Sequence, residues 1–139
     1  MSNFETATNF FNACESLKGW EGCQQYVAED ATFHAQCEPL VDVTTVEAYC
    51  EWMAGLGSMP LKGCSYVINT SAYDEANNTA IFFGTLTAKH AGENGPVPAT
   101  NKTTSADYVY VLEMDEAGHI CKMTKIWNAP WTLKELGWI

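Results

Sequence analysis

The spacing of the apolar residues changes once along this chain, and that change constrains the fold more than any other feature. As far as Gly57 they recur mostly every three and four residues, as on helices, with one short alternating run at 31–37; from Gly63 onward they alternate, as on strands. A chain whose helices all precede a run of hairpins cannot build the alternating strand-helix units of a parallel sheet. It predicts an α+β layer, with the helices packed on one face of a mostly antiparallel sheet.

The first part divides at glycines. Ser2 and Glu5 stand at capping-box spacing, and Phe4, Ala7, Phe11, Cys14 and Leu17 form an apolar stripe, which predicts a helix over residues 3–17 broken at Gly19. A shorter helix follows from Trp20 to Val27, then a strand from Ala31 to Cys37. Thr44 and Glu47 repeat the capping box, and Val46, Tyr49, Cys50, Met53 and Leu56 make a third helix that Gly57 ends. Beyond Gly63, strand-forming runs occupy 64–73, 79–90, 103–114 and 119–128. The segments 74–78 and 115–118 supply Asp, Asn and Gly for tight turns, whereas 92–99 holds Gly, Asn and two Pro and is a longer loop. The tail APWTLKELGWI predicts a short amphipathic turn, with Leu133, Leu136 and Trp138 packing back on the body.

With 139 residues, 47% of them hydrophobic, the chain fits one domain spanning 1–139 with one core. Seven Lys plus Arg face seventeen Asp plus Glu, and no stretch gathers the basic residues into a phosphate-binding patch, so nucleic acid and anionic membranes are not expected partners. No apolar run reaches membrane-span length and the first residues lack a signal-peptide pattern, so a cytoplasmic location is expected. The six cysteines are scattered without a C-x-x-C pair, and His34, His90 and His119 lie far apart, so the expectation is reduced thiols, mostly in the core, with no metal and no cofactor.

Two stretches carry a family resemblance: WEGCQQYVAEDATFHAQ, over the second helix and first strand, and DEAGHICKMTKIWN, over the final hairpin. With the order of elements, they resemble the nuclear-transport-factor-2-like superfamily and, within it, the SnoaL-like polyketide cyclases. The resemblance implies a cystatin-like cone: N-terminal helices in the concave face of a strongly curved, mostly antiparallel sheet, around a central apolar pocket. It also implies homodimers joined through the outer sheet face, where Val109, Val111 and Ile126 would supply an apolar centre. Relatives of this kind include isomerases, dehydratases and cyclases. The ketosteroid-isomerase pattern has an Asp where this chain has Ala35 and an acid where it has Tyr110; the SnoaL-like pattern ends its last strand in Trp-Asp, here Trp127-Asn128.

Lacking those acids, the chain leaves His34, Tyr110 and Asn128 as the catalytic candidates. An imidazole titrates near neutrality and moves protons, a buried phenol stabilises a developing oxyanion, and a carboxamide orients a carbonyl. Strict alternation groups His34 with Thr32 and Gln36, opposite Phe33, which gives it a second reading on the outer face. Ala106, Tyr108, Tyr110 and Leu112 share one strand face and Asp107 the other; Asp107 would turn inward only at a bulge. Tyr108, Met123, Trp127, Phe83 and Met53 are the expected ligand-binding wall, Lys125 is expected at the rim, and Trp20, Trp52, Trp131 and Trp138 are expected to close the core. Together these readings predict a cofactor-independent SnoaL-like enzyme that transfers protons on a small apolar carbonyl or hydroxyl compound. The rival expectation is a non-catalytic ligand-binding or dimeric scaffold protein of the same fold.

Overall fold

The computed structural model describes every residue, Met1–Ile139. In chain order the elements are α1 (Asn3–Glu15), α2 (Gly19–Cys23), β1 (Val27–Ala35), α3 (Val46–Ser58), β2 (Ser65–Asp74), β3 (Thr79–Lys89), β4 (Thr103–Met114), β5 (Ile120–Trp127) and α4 (Ala129–Glu135). The strands form one mixed sheet in the order β1-β5-β4-β3-β2; β1 runs parallel to β5, and every other pair is antiparallel. β1 and β2 are its two edges, so the sheet is not closed. No helix is long and apolar enough to cross a membrane.

The capping chemistry read from the sequence operates with small shifts. Ser2 accepts from the Glu5 amide at the start of α1, and Thr45, rather than Thr44, accepts from the Ala48 amide at the start of α3. α1 ends at Glu15, and just beyond it Leu17 takes a left-handed φ of 65°, two residues before Gly19 does the same at 66°. Gly57 does not end α3: the helix continues to Ser58, and a Cβ on Gly57 would lie 2.4 Å from the Leu17 side chain. Its role is close approach of α1's end to α3. The predicted second helix is shorter and passes through a turn of 3-10 helix at Gln24–Tyr26, while β1 begins four residues earlier than expected.

The core is aromatic and lies between α1, α3 and the sheet. Phe11 of α1 packs on Phe82 of β3 and on Tyr108 and Tyr110 of β4, with ring centroids 5.1, 6.1 and 4.7 Å away. Tyr49 of α3 stacks on Phe33 of β1 at 4.6 Å. Side-chain alternation on β3 points Ala80, Phe82 and Leu86 inward. Gly84 falls in the same row, and a Cβ there would lie 2.9 Å from the Tyr108 ring; its bareness makes room for that phenol.

Candidate functional site

Between α3, the inner face of the sheet and the C-terminal segment lies a cavity of about 330 Å3. Its wall is mostly apolar: Trp52, Met53 and Leu56 from α3, Leu61, Leu86, Ala106, Trp127, and Leu133, Leu136, Trp138 and Ile139 from the end of the chain. Glu15, Thr104, Tyr108, Lys125 and Thr132 add polar groups. The two threonines are already engaged: Thr104 donates to Glu135 at 2.7 Å, and Thr132 accepts from the Trp127 indole at 2.9 Å. That leaves a carboxyl, a phenol and an amine as the reactive lining.

These three belong to one hydrogen-bonded chain that runs behind the wall. Lys125 Nζ donates to the Tyr49 hydroxyl at 2.9 Å, and the Tyr49 and Tyr110 hydroxyls lie 2.9 Å apart. Tyr110 donates to Glu15 Oε2 at 2.6 Å, and Tyr108 donates to Glu15 Oε1. Because Tyr110 spends its only proton on Glu15, it accepts from Tyr49, and every donor in the series points from Lys125 toward Glu15. Shifting each proton by one bond turns an ammonium and a carboxylate into an amine and a carboxylic acid, with no heavy atom displaced.

Burial pushes the equilibrium toward that neutral arrangement. Glu15 is 4% exposed and Lys125 7% exposed, and no direct ion pair joins them; the protein's one ion pair is Lys122–Glu113 at the surface. Desolvation raises the Glu15 pKa, against the lowering pull of Lys125 and the two phenols. Desolvation likewise lowers the Lys125 pKa, against the raising pull of Glu15. The amine also sits 4.7–5.3 Å from the ring centres of Trp127, Tyr49, Trp52 and Tyr108, and those ring faces offset part of the cost of its charged form.

Residues 7–123 match the model of the SnoaL-like domain. The chain belongs to the SnoaL-like family. Among solved structures it is similar to a candidate SnoaL-like polyketide cyclase from Jannaschia sp. CCS1, at TM-score 0.77 and 13% identity over 96% of this chain and 90% of that one. AclR from Streptomyces galilaeus, a candidate hydroxylase, gives TM-score 0.76 and 16% identity over 99% and 85%. IdmH from Streptomyces antibioticus, a candidate polyketide cyclase, gives TM-score 0.76 and 13% identity over 99% of both chains. At such identities the likeness is one of fold, the cystatin-like fold shared with further neighbours. No curated protein matches the sequence.

Within this SnoaL-like frame the structure brings together only some of the residues expected at the site. Tyr108, Trp127 and Met53 line the cavity. Tyr110 is wholly buried one layer behind the wall, in the hydrogen-bonded chain, and Met123 is wholly buried in the core. Phe83 is displaced by its own alternation: Phe82 takes the inner face, and Phe83 lies half-buried on the outer one, opposite Val109. His34 also lies outside. It is exposed beside Thr124, along a shallow outer groove with Gln36 and Ile126, because Phe33 takes the inward place on β1.

Asn128 stands exposed where the SnoaL-like pattern has an acid, and its carboxamide oxygen accepts from the Trp131 amide as the N-cap of α4. Asp107 keeps to the outer face and accepts from Thr85 at 2.8 Å. Lys125, expected at the rim, is instead buried, and Trp52 and Trp138 form cavity wall as well as closing the core. Glu15 was not singled out from the sequence at all. Its signal was present: it stands four residues after Phe11, on the apolar face of α1, where a carboxyl has no solvent.

The scattered cysteines also contain a cluster. The sulfurs of Cys14, Cys23 and Cys50, from α1, α2 and α3, lie within 4.8 Å of one another, all buried, and are the one group of this structure that could hold a metal ion. Thiolate ligands of that kind suit a soft ion such as copper(I) or zinc. All six cysteines are free thiols.

Proposed function

We propose that this SnoaL-like chain binds a small, largely apolar carbonyl or hydroxyl compound in the cavity and moves a proton on it, with Glu15 as the acid-base group. One observation carries the reading: a buried carboxyl with a raised pKa opens onto an apolar hollow beside an amine that holds no direct ion pair. A general acid-base group is most effective when its pKa lies near the working pH, and burial moves a carboxyl in that direction. Tyr108 positions the carboxyl, and Lys125, with two N–H bonds beyond the one it gives Tyr49, polarises the ligand oxygen. Candidate cyclases among the similar folds agree with such chemistry.

The test uses α-tetralone, a bicyclic ketone with an exchangeable methylene beside its carbonyl. In heavy water the chain is expected to quench its own tryptophan fluorescence on binding this ketone and to speed loss of the methylene proton signals. Glu15→Gln is expected to slow that exchange by about a hundredfold or more while the ketone still binds. Exchange that is indifferent to Glu15 would leave the non-catalytic ligand-binding reading in its place; absence of quenching would remove the cavity as a ligand site.

The outer sheet face supports the homodimer reading. Val67, Ile81 and Ile126 are 57%, 41% and 59% exposed there, and half-buried Phe83, Val109 and Val111 lie between them. In the register Phe83 stands opposite Val109, and Val109 opposite Ile126, so the apolar residues form one continuous strip. A second copy would bury it. Light scattering is expected to give twice the chain mass, reduced to one chain mass by Ile126→Asp; a monomer before mutation would refute the reading.

A further inference from the structure

Of the seven lysines, which are the chain's entire set of basic side chains other than histidine, six are exposed and one is enclosed. Lys125 ends at the cavity wall among four aromatic rings, with the single protein hydrogen bond to Tyr49. An amine kept as a mere cation is normally paired with a carboxylate or left in water. This one has neither, yet it is joined by two phenols to a carboxyl that can take its proton. Rings alone do not account for that arrangement, since an aromatic cage has no need of a proton acceptor.

We infer that Lys125 is a nucleophile that forms a reversible imine with an aldehyde or ketone held in the cavity, with Glu15 supplying the proton that releases water. The inference rests on the cavity being a carbonyl site and goes beyond it in naming a covalent step. The relay first places the Lys125 proton on Glu15, leaving a neutral amine and a carboxylic acid. The shift leaves the Tyr49 hydroxyl donating to the amine, so the nitrogen releases that hydrogen bond as its lone pair attacks the carbonyl carbon; the carbon–oxygen π pair moves to oxygen, and one N–H proton passes from nitrogen to that oxygen to give a carbinolamine. Glu15 then protonates the hydroxyl, water leaves, and the nitrogen lone pair closes the carbon–nitrogen double bond. The products are an iminium ion, a Glu15 carboxylate and one water, so atoms and charge balance against amine, acid and carbonyl. Burial, which favours the neutral forms of both groups at rest, prepares the starting pair. The carboxylate left behind then faces the cationic iminium.

The experiment mixes the unmodified chain with naphthaldehyde, an apolar aldehyde with no exchangeable proton beside its carbonyl, and reduces any imine with cyanoborohydride near neutral pH. Each lysine peptide is then measured for a mass increase equal to the aldehyde less one oxygen. Lys125 is expected to be labelled at least about tenfold faster than any of the six exposed lysines, because the cavity holds the aldehyde beside an amine whose burial favours its neutral form. An excess of α-tetralone should suppress that labelling alone. Lys125→Met should abolish it without altering the rest of the pattern. Labelling confined to the exposed lysines, or spread evenly over all seven, overturns the inference. Tryptophan quenching by naphthaldehyde in the same samples separates the two levels: quenching without a Lys125 adduct refutes the imine and leaves the carbonyl cavity standing, whereas neither signal refutes both.

Discussion

The double variant Glu15→Gln, Lys125→Met is expected to be more stable than the unmodified chain, by about 1–4 kcal/mol near neutral pH. Two ionisable groups have been taken from water without a direct contact between them, so each carries a desolvation cost that their mutual attraction and the hydrogen bonds through Tyr49 and Tyr110 offset only in part. Met fills nearly the volume of the lysine stem. Gln keeps one oxygen to accept from Tyr108, and with no donor at position 125 the Tyr49 and Tyr110 hydroxyls can reverse direction, so that the carboxamide donates to Tyr110. Urea unfolding at several pH values measures the effect. A double variant less stable than the parent would show that the pair holds the fold together and is not kept for chemistry.

The pH dependence of the parent has a defined sign. The folded pKa of Glu15 is raised above its ordinary 4.5, so just above that value the native state holds a proton that the unfolded chain has lost; stability therefore falls as pH rises through this window. The folded pKa of Lys125 is lowered below its ordinary 10.5, so just below that value the unfolded chain holds the extra proton; stability rises as pH approaches 10.5. The double variant should lose both slopes.

Phe11→Ala is expected to cost about 3–5 kcal/mol, the largest loss from any single substitution considered for this chain. The ring is fully buried and packs on Tyr66, Phe82, Tyr108 and Tyr110 at centroid distances of 4.7–6.1 Å. Removing it opens a void directly behind the two phenols that hold Glu15, so ketone binding should weaken with stability. Phe11→Leu, which keeps most of the volume, should cost under about 1.5 kcal/mol. Chemical denaturation followed by near-ultraviolet circular dichroism reads both variants, and a cost below about 1 kcal/mol for the alanine would mean that the core relaxes into the gap.

Much of the scaffold was legible because periodicity and capping are local. The inward row Ala106, Tyr108, Tyr110 and Leu112 follows from alternation along β4, and the same rule, applied without regard to chemistry, turns His34 and Phe83 outward. Their residue types suit a pocket, but parity decides where they point. Lys125 is the opposite case: alternation along β5 places it inside with Met123 and Trp127, whereas the desolvation of a lone amine favours the rim. What keeps it inside is Tyr49, seventy-six residues away in sequence, as an acceptor. No local pattern encodes such a partner. Glu15 needed only that its position on the apolar stripe of α1 be taken at face value, but its two phenol donors lie more than ninety residues downstream.

The one-way sense of the hydrogen-bonded series has an outcome for ligand choice. Whether its protons sit toward Lys125 or toward Glu15, the two groups sum to zero, so the hollow keeps electroneutrality while its internal dipole switches. Around it the chain carries a formal charge of −10, which repels approaching anions. Admission therefore disfavours anions, and what an uncharged guest meets on arrival is a polarity that can invert around it.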